Sequence, residues 1–419
     1  RGHHHHRKPI TVKVSPHFFG VHDTSLASLT HRGIGALRLW DAGVMWRDLE
    51  PQPGVYDFAR LDHIVELAHA DHTEVTLVLA GTPAWAAANP QANTWIDPPK
   101  VSAYQSFVTT VMKRYKKFDP SHTGHGYRGI ANYQVWNEPN IKTYWTGTQP
   151  QMATLVHTAW EVRQKVDKGA KIIAPSMVTR LPYELKAIGK FYRLKVAHKP
   201  VWKFVDAMTF SLYPVDVIKG RPAGPEDMMT LVNATRKTLT KAHVPTRLPM
   251  WDSEVNYGLP SGSNVGKPTP PISGGRQAAY VMRTYLLSAA AGLPRVFWYR
   301  YDFSGVFANT FLTAPAPAPV GTLTTAGQAF FRIQQWMKGT LVGTPTKRPC
   351  AADKHGTYTC VVKYGKGMGR IYWNPRHTVK VKTVKSSKSW QSELGTVHHL
   401  KHGAKIKVGY APVLVLSKH

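Results

Sequence analysis

Two short segments, Tyr133-Gln-Val-Trp-Asn-Glu-Pro-Asn140 and Met250-Trp-Asp-Ser-Glu-Val-Asn-Tyr257, each close a strand-like apolar run with a glutamate. Cleavage of an acetal needs one carboxyl that gives a proton to the leaving oxygen and one carboxylate that attacks or shields the cationic carbon. Two glutamates converging from separate elements meet that need, and Glu138 and Glu254 are the pair on offer. Other chemistries lack their signatures. There is no Cys-x-x-Cys, no His-Glu-x-x-His, no acidic calcium loop and no Gly-rich nucleotide fingerprint, so neither a metal nor a cofactor is expected.

Elements that bring the two glutamates together are suggested by eight short apolar runs, at 18–22, 36–41, 75–82, 133–138, 171–177, 207–213, 249–255 and 295–302. Helical patterns lie between them, the rhythm of strands and helices alternating around a parallel sheet. Leu61, Ile64, Val65 and Ala68 fall on one helical stripe, as do Tyr104, Phe107, Val108, Val111, Met112 and Tyr115. Eight strands suffice to close a (β/α)8 barrel. A final helix near 325–337, stopped by Gly339, ends it near residue 340. Residues 341–419 change to period-two segments split by Gly, Pro and Ser, a small β-sandwich-like domain. The expected organisation is therefore an N-terminal segment, 1–16, a barrel, 17–340, and an all-β domain, 341–419. The start, with its His3–His6 run, has the look of a processed or artificial terminus and is set aside from fold reasoning. In a parallel barrel the loops after the strands build the active face, so the Pro- and Gly-rich stretches 259–275 and 314–320 are expected at its rim.

The 419 residues carry a formal charge of +30, which implies affinity for something anionic: an acidic polysaccharide, a charged envelope or nucleic acid. The charge is densest at the end, where residues 341–419 hold 15 Lys and Arg against Asp353 and Glu393. A solvated, colloidally stable surface is the plainer explanation of the same excess. Nucleic acid has charge alone in its favour, since no helix-turn-helix, zinc-finger or ribonucleoprotein signature accompanies it. No apolar run is long enough to span a bilayer. Cys350 and Cys360 flank a turn-like sequence that would return one strand beside the other. A bridge there would stabilise by about 3 kcal/mol and suit an oxidising, secreted or cell-envelope setting; two buried thiols are the alternative.

Several motifs resemble those of the retaining glycoside hydrolases of clan A, and within it family 39, which contains β-xylosidases, α-L-iduronidases and exopolysaccharide hydrolases. They are Trp46-Arg-Asp-Leu-Glu-Pro-Gln-Pro-Gly-Val-Tyr-Asp-Phe58, Gly81-Thr-Pro-Ala-Trp85, Trp136-Asn-Glu-Pro139 and the seventh-strand Glu254. The Trp-Asn-Glu-Pro segment is the most specific, and the likeness spans most of residues 17–340. It implies a barrel with Glu138 as acid/base at the end of strand four and Glu254 as nucleophile at the end of strand seven.

That resemblance also implies roles for neighbours. Arg38, with Trp40 on the same strand face, matches an arginine that holds the nucleophile's charge; an ion pair with Asp252, whose period-two spacing matches that of Glu254, is the structural alternative. Asn137 matches a donor to the sugar 2-hydroxyl, and otherwise reads as a turn residue. Pro139 is expected to keep Glu138 extended. Tyr213 matches a tyrosine that touches the nucleophile, and Trp298 a sugar-stacking tryptophan. Many relatives carry His two residues before that tyrosine, and this chain departs from them with Ser211. Trp40, Trp85 and Trp145 are further candidate platforms, although 13 tryptophans guarantee that some are core. His22, Asp41, Asn256 and Asp302 are polar candidates on the same face without assigned roles. The expected activity is retaining hydrolysis of a poly- or oligosaccharide, with an acidic or envelope-associated glycan as substrate. The alternative is a non-catalytic carbohydrate- or polyanion-binding protein on the same scaffold.

Overall fold

The computed structural model describes residues 7–30, 33–91, 94–305 and 309–419; the His3–His6 run lies outside them. Eight parallel strands form the barrel: β1 Phe19–Val21, β2 Ala36–Leu39, β3 Glu74–Leu79, β4 Asn132–Val135, β5 Lys171–Ile173 resuming at Met177–Val178, β6 Met208–Ser211, β7 Met250–Val255 and β8 Val296–Trp298. Pairing runs β5–β4–β3–β2–β1–β8–β7–β6, and the Met177–Val178 half of β5 pairs with β6 to close the cylinder. A bridge between Ile173 and Ala207 closes it lower down. The eight expected strands are all present, and the architecture is a (β/α)8 barrel followed by a small all-β domain.

Among the described residues, seven long helices pack outside the sheet: α1 Ala59–Ala70, α2 Val101–Lys116, α3 Gln149–Val166, α4 Pro182–Tyr192, α5 Pro225–Lys241, α6 Gly274–Ala290 and α7 Thr325–Trp336. Each expected stripe faces inward; on α2 the buried set is Tyr104, Phe107, Val108, Val111, Met112 and Tyr115. α3 starts at a capping box, Thr148 accepting from the Gln151 N–H while the Gln151 side chain accepts from that of Thr148. This fixes where the β4–α3 loop ends, which matters because that loop carries cleft residues. Between β1 and β2 the chain makes a 3-10 turn, Ala27–Thr30, in place of a long helix.

Beyond α7, an antiparallel sheet is centred on Tyr358–Tyr364, Gly367–Trp373 and Val413–Ser417. A second pair, Val379–Lys382 with Lys405–Val408, packs on it around Tyr372, Ile406, Val408, Val413 and Val415. Thr11–Val12 pairs with Leu341 and Val342, so the N-terminal segment adds a strand to this sheet. Cys350 and Cys360 are bonded, with Ala351–Ala352 returning along Tyr358 and Thr359. Docking onto the barrel joins an apolar core, in which Cys360, Val362, Ile371, Trp373 and Leu414 share one buried cluster with the barrel helices, to a few buried polar contacts. Glu226 of α5 pairs with Arg283 of α6 and accepts the Trp373 indole N–H at 3.1 Å, and the Trp336 indole of α7 donates to Gln391 at 2.9 Å. Among the described residues, no helix is long and apolar enough to cross a membrane.

Candidate active site

Glu138 lies just past β4, where the chain departs from the extended geometry expected before Pro139. Regular pairing stops at Val135, and both Trp136 and Glu138 have left-handed backbone, with φ of 64° and 47°. Non-glycine residues persist there only when neighbours over-determine them. Trp136 is buried, its indole donating to the Tyr144 carbonyl at 2.7 Å. The Glu138 N–H donates to Ser176 Oγ at 3.2 Å, and Asn140 clasps both polar groups of the Val178 backbone, at 3.0 and 3.1 Å. The break in β5 thus braces the irregular end of β4, and Asn137 and Glu138 both turn toward the barrel mouth.

Glu254 is placed by a second irregularity. Phe210 pairs with Asp252 and Ser211 with Glu254, while on the other side Asp252 pairs with Val296 and Val255 with Trp298; the register slips on both flanks. Such slips break strict alternation and re-aim side chains beside active sites. Trp251 packs with Ala36, Ile173, Ala207 and Phe297 in a buried layer, and Glu254 opens onto the cleft above. Asp252 does not share that cleft. It is fully buried and lines no part of the cleft; Glu254 and Arg38 lie within its electrostatic reach, as do Tyr257 and Tyr285, but Arg38 pairs with Glu254 instead. The alternation that placed Asp252 and Glu254 on one face is corrected by the slipped register.

Arg38 is the hub. Nη1 meets Glu254 Oε1 at 3.0 Å, Nη2 donates to Asn137 Oδ1 at 2.7 Å and Ser176 Oγ at 3.2 Å, and Nε donates to Gln134 Oε1 at 2.7 Å. The Tyr213 hydroxyl donates to Glu254 Oε2 at 2.7 Å, so both Glu254 carboxylate oxygens are held. Asn137 Oδ1 is occupied by Arg38 and Ser176, which turns its Nδ2 away with no hydrogen-bond partner among the described residues. Ser211 Oγ lies 3.3 Å from Glu138 Oε1, so the serine found where many relatives carry histidine still bonds the acid/base candidate.

The two carboxyls are held differently. Burial, then the negative charge of Glu254, pushes the Glu138 carboxyl up to about 8, against the opposing pull of Arg180, Arg38 and Ser211. Burial also raises Glu254, but Arg38 and Tyr213 hold it down, with Asp41 pushing the other way. One carboxyl keeps its proton near neutrality; the other has a guanidinium and a phenol that reward ionisation. His22 is lowered by burial first and by Arg38 second, so a neutral ring sits beneath the site with one nitrogen 2.8 Å from the Ser253 carbonyl.

The cleft holds about 410 Å³ and is lined by Trp40, Glu138, Tyr144, Arg180, Tyr213, Glu254 and Tyr299, among others. Of the expected site residues, Glu138, Glu254, Arg38, Trp40, Asn137 and Tyr213 come together here. Trp298 and Trp85 do not. Trp298 is fully buried against Tyr257 with its indole N–H on the Thr310 carbonyl, and the next residue, Tyr299, supplies the aromatic face. Trp85 stands edge-on to Trp46 and donates to the Glu50 carbonyl. Trp145 is buried against Trp136. Of the second-rank polar residues, Asp41 accepts the Tyr299 hydroxyl, Asn256 donates to the Tyr299 and Thr310 carbonyls, and Asp302 pairs with Arg300. Leu259 brings the 259–275 loop to the rim, whereas 314–320 contributes no lining residue. Tyr144, Arg180 and Tyr299 were not anticipated from sequence. Tyr144 meets Trp40 edge-on at 5.7 Å, and Arg180 lies past the point where the fifth apolar run ends. Polar Gln134 two residues from Trp136 inside an apolar strand was a readable signal for the Arg38 contact. Among the described residues, no cluster of three His, Cys, Asp or Glu side chains could hold a metal ion.

A glycoside hydrolase family 42 model, described as beta-galactosidase, matches residues 23–98. No curated protein matches the chain. Solved structures share its fold at low identity. A family 39 glycoside hydrolase from the gut symbiont Bacteroides cellulosilyticus is 15% identical with a TM-score of 0.67, over 97% of this chain and 82% of that one. A monomeric beta-xylosidase from Caulobacter crescentus is 13% identical with a TM-score of 0.65, over 98% of each chain. A glucosidase from Croceicoccus marinus is 12% identical with a TM-score of 0.64, over 98% of this chain and 97% of that one. The likeness is one of fold, and it runs through the barrel and the all-β domain alike.

Proposed function

We propose that this chain is a retaining O-glycoside hydrolase that cleaves a poly- or oligosaccharide by double displacement. The observation that carries this is the unequal pair in one cleft: Glu138 raised to about 8, and Glu254 held by Arg38 and Tyr213. In the first step Glu138 gives its proton to the glycosidic oxygen as Glu254 attacks the anomeric carbon, forming a glycosyl ester and releasing the leaving sugar. Glu138, now ionised, takes a proton from water, which attacks the same carbon and frees Glu254. Loss of its charge to the ester lets Glu254 stop repelling the Glu138 carboxylate, so the acid becomes a base when a base is needed. The free Nδ2 of Asn137 is aimed by Arg38 to donate to a hydroxyl of the bound sugar, a bond that strengthens toward the oxocarbenium geometry. Trp40, Tyr144 and Tyr299 offer ring faces to the pyranose or furanose.

The substrate in this reading is an acidic or envelope-associated glycan, supported by the charge of +30 and by Arg180 in the cleft wall. The Cys350–Cys360 bond supports a secreted or cell-envelope location. The test is a panel of aryl glycosides and polysaccharides followed by proton NMR. The expected result is first appearance of the retained anomer, with loss of about 10²–10⁴-fold in Glu138→Gln and at least as much in Glu254→Gln. Hydrolysis that survives both substitutions, or an inverted first product, would overturn the mechanism. Binding of glycans without any turnover would mark the scaffold as a non-catalytic carbohydrate-binding protein.

A further inference from the structure

Beside the catalytic cleft lies a second cavity of about 570 Å³, and the two share Arg180 as a wall. Its lining is unusually one-signed: Arg180, Lys219, Arg221 and Arg376 face a single carboxylate, Asp227. The four cations come from three parts of the fold. Arg180 follows the second half of β5. Lys219 and Arg221 sit on the small hairpin that pairs Val217–Ile218 with Arg221–Pro222 after β6. Arg376 belongs to the C-terminal domain, three residues past Trp373, whose indole is anchored on Glu226 of the barrel. Asp227 is engaged, accepting from both terminal nitrogens of Arg221 at 3.0 and 3.1 Å and from the Gly224 N–H. It therefore fixes Arg221 and leaves the other three cations without neutralisation from that carboxylate.

Arg180 is the informative member. Its Nη1 is shielded from solvent yet has no hydrogen-bond partner among the described residues. Its guanidinium carbon lies 5.8 Å from the centre of the Tyr213 ring, the ring whose hydroxyl holds Glu254. A shielded guanidinium nitrogen with no acceptor is costly to keep, and such groups in native folds generally meet one. Here the missing acceptor would have to arrive from the cleft or from the adjoining cavity.

We propose that the cavity is an anion-binding subsite, formed jointly by the barrel and the C-terminal domain, which takes the carboxylate of a uronic acid unit adjacent to the sugar whose bond is cleaved. Arg180 is the residue that reads the charge, because a guanidinium fork meets a planar carboxylate with two parallel hydrogen bonds. Lys219 and Arg376 extend the positive field along the chain direction, and Arg221 is held ready by Asp227. The all-β domain thereby gains a specific part in substrate choice. This rests on the glycosidase reading for the identity of the neighbouring sugar, whereas the affinity for a carboxylate does not.

The test uses full-length Glu254→Gln protein, which binds without turnover, and fragments of hyaluronan, alginate and polygalacturonate. Each is titrated beside its carboxyl-reduced counterpart, in which the uronic acids are neutral sugars with linkages unchanged, and a sulfated neutral oligosaccharide forms a third arm. At least one acidic fragment should bind about tenfold to a hundredfold more tightly than its reduced form. That preference should collapse in Arg180→Gln, weaken in Arg376→Gln, and show a shallower salt dependence in both. Lys418→Gln, which removes an exposed charge elsewhere on the same domain, serves as the control. Equal affinity for native and reduced fragments across the panel, tighter binding of the sulfated arm, or an equal loss from Lys418→Gln would each overturn the proposal. Circular dichroism and melting separate misfolding of Arg180→Gln from loss of recognition, and Arg180→Lys gives a second variant that keeps the charge while losing the fork. The wild-type protein run on the same fragments separates the two readings. Carboxylate-selective binding without cleavage leaves the subsite standing and sinks the hydrolase, and cleavage without carboxylate preference does the reverse.

Discussion

Replacing Glu138 by Gln should make the protein more stable above neutral pH while stopping its chemistry. Burial and the charge of Glu254 raise the Glu138 carboxyl from 4.5 to about 8, so between those values the folded protein holds a proton that the unfolded chain has released. Stability rises with pH only where the unfolded state binds more protons; here it binds fewer, and the folded state loses stability as pH climbs from 4.5 to about 8. About 3.5 pH units at about 1.4 kcal/mol each sets the full effect near ~5 kcal/mol, reached at pH 8 and above. Glutamine has the shape of the protonated acid and does not titrate. Urea unfolding at pH 4.5 and pH 8.5 should therefore show little difference between variant and wild type at the lower pH, and several kcal/mol in favour of Glu138→Gln at the higher. The same proton governs activity: wild-type kcat/KM should fall about tenfold per pH unit above about 8. A stability difference that does not vary with pH, or a rate profile flat to pH 9.5, would refute the account of Glu138 as a desolvated, repelled acid.

Arg38→Met removes the cation that holds Glu254 down; the acidic limb of kcat/KM should move to higher pH and kcat fall about 10²–10³-fold, both read from one pH series. Asp252 is raised well above its ordinary value by burial, so Asp252→Asn should unfold at higher urea than wild type at pH 8 while retaining kcat within about threefold, and a loss like that of Glu254→Gln would contradict the slipped register. Trp40→Ala should raise KM and, because the ring is buried against Trp95 and Tyr144, also lower the melting temperature, whereas Trp298→Ala, cut from a fully buried position, should cost about 3–5 kcal/mol of stability and leave KM of the folded molecules near wild type.

Strand and helix positions were legible because alternating apolar runs and helical stripes are local signals, and all eight strands lie where those signals place them. The site was legible where chemistry is written into contiguous residues: Asn137 and Glu138 adjoin in one motif, and Arg38, Tyr213 and Glu254 each sit at or near a strand end. What escaped depends on geometry that period counting does not carry. A register slip in β7 moved Asp252 off the face it was expected to share with Glu254. Left-handed backbone at Glu138 overrode the extended preference imposed by Pro139, and Trp136 took the same conformation two residues earlier. One step along β8 exchanged Trp298 for Tyr299 at the cleft, because the indole fills a core position sealed by Thr310 and Tyr257. Arg180 lies just past the resumed half of the fifth strand, a placement recognisable only once Met177–Val178 is seen pairing with β6.

The pairing of Thr11–Val12 with the strand directly after α7 ties two regions of the polypeptide that are separated by the whole cylinder. That edge of the sheet can assemble only after the last helix has been made, a long-range contact of the kind that slows folding. Cutting the chain at residue 340 would strip the early strand of its neighbour and bare the hydrogen-bonding groups it now shares, an invitation to stick to other molecules. Engineers wishing to shorten this protein to a lone cylinder should trim both extremities together.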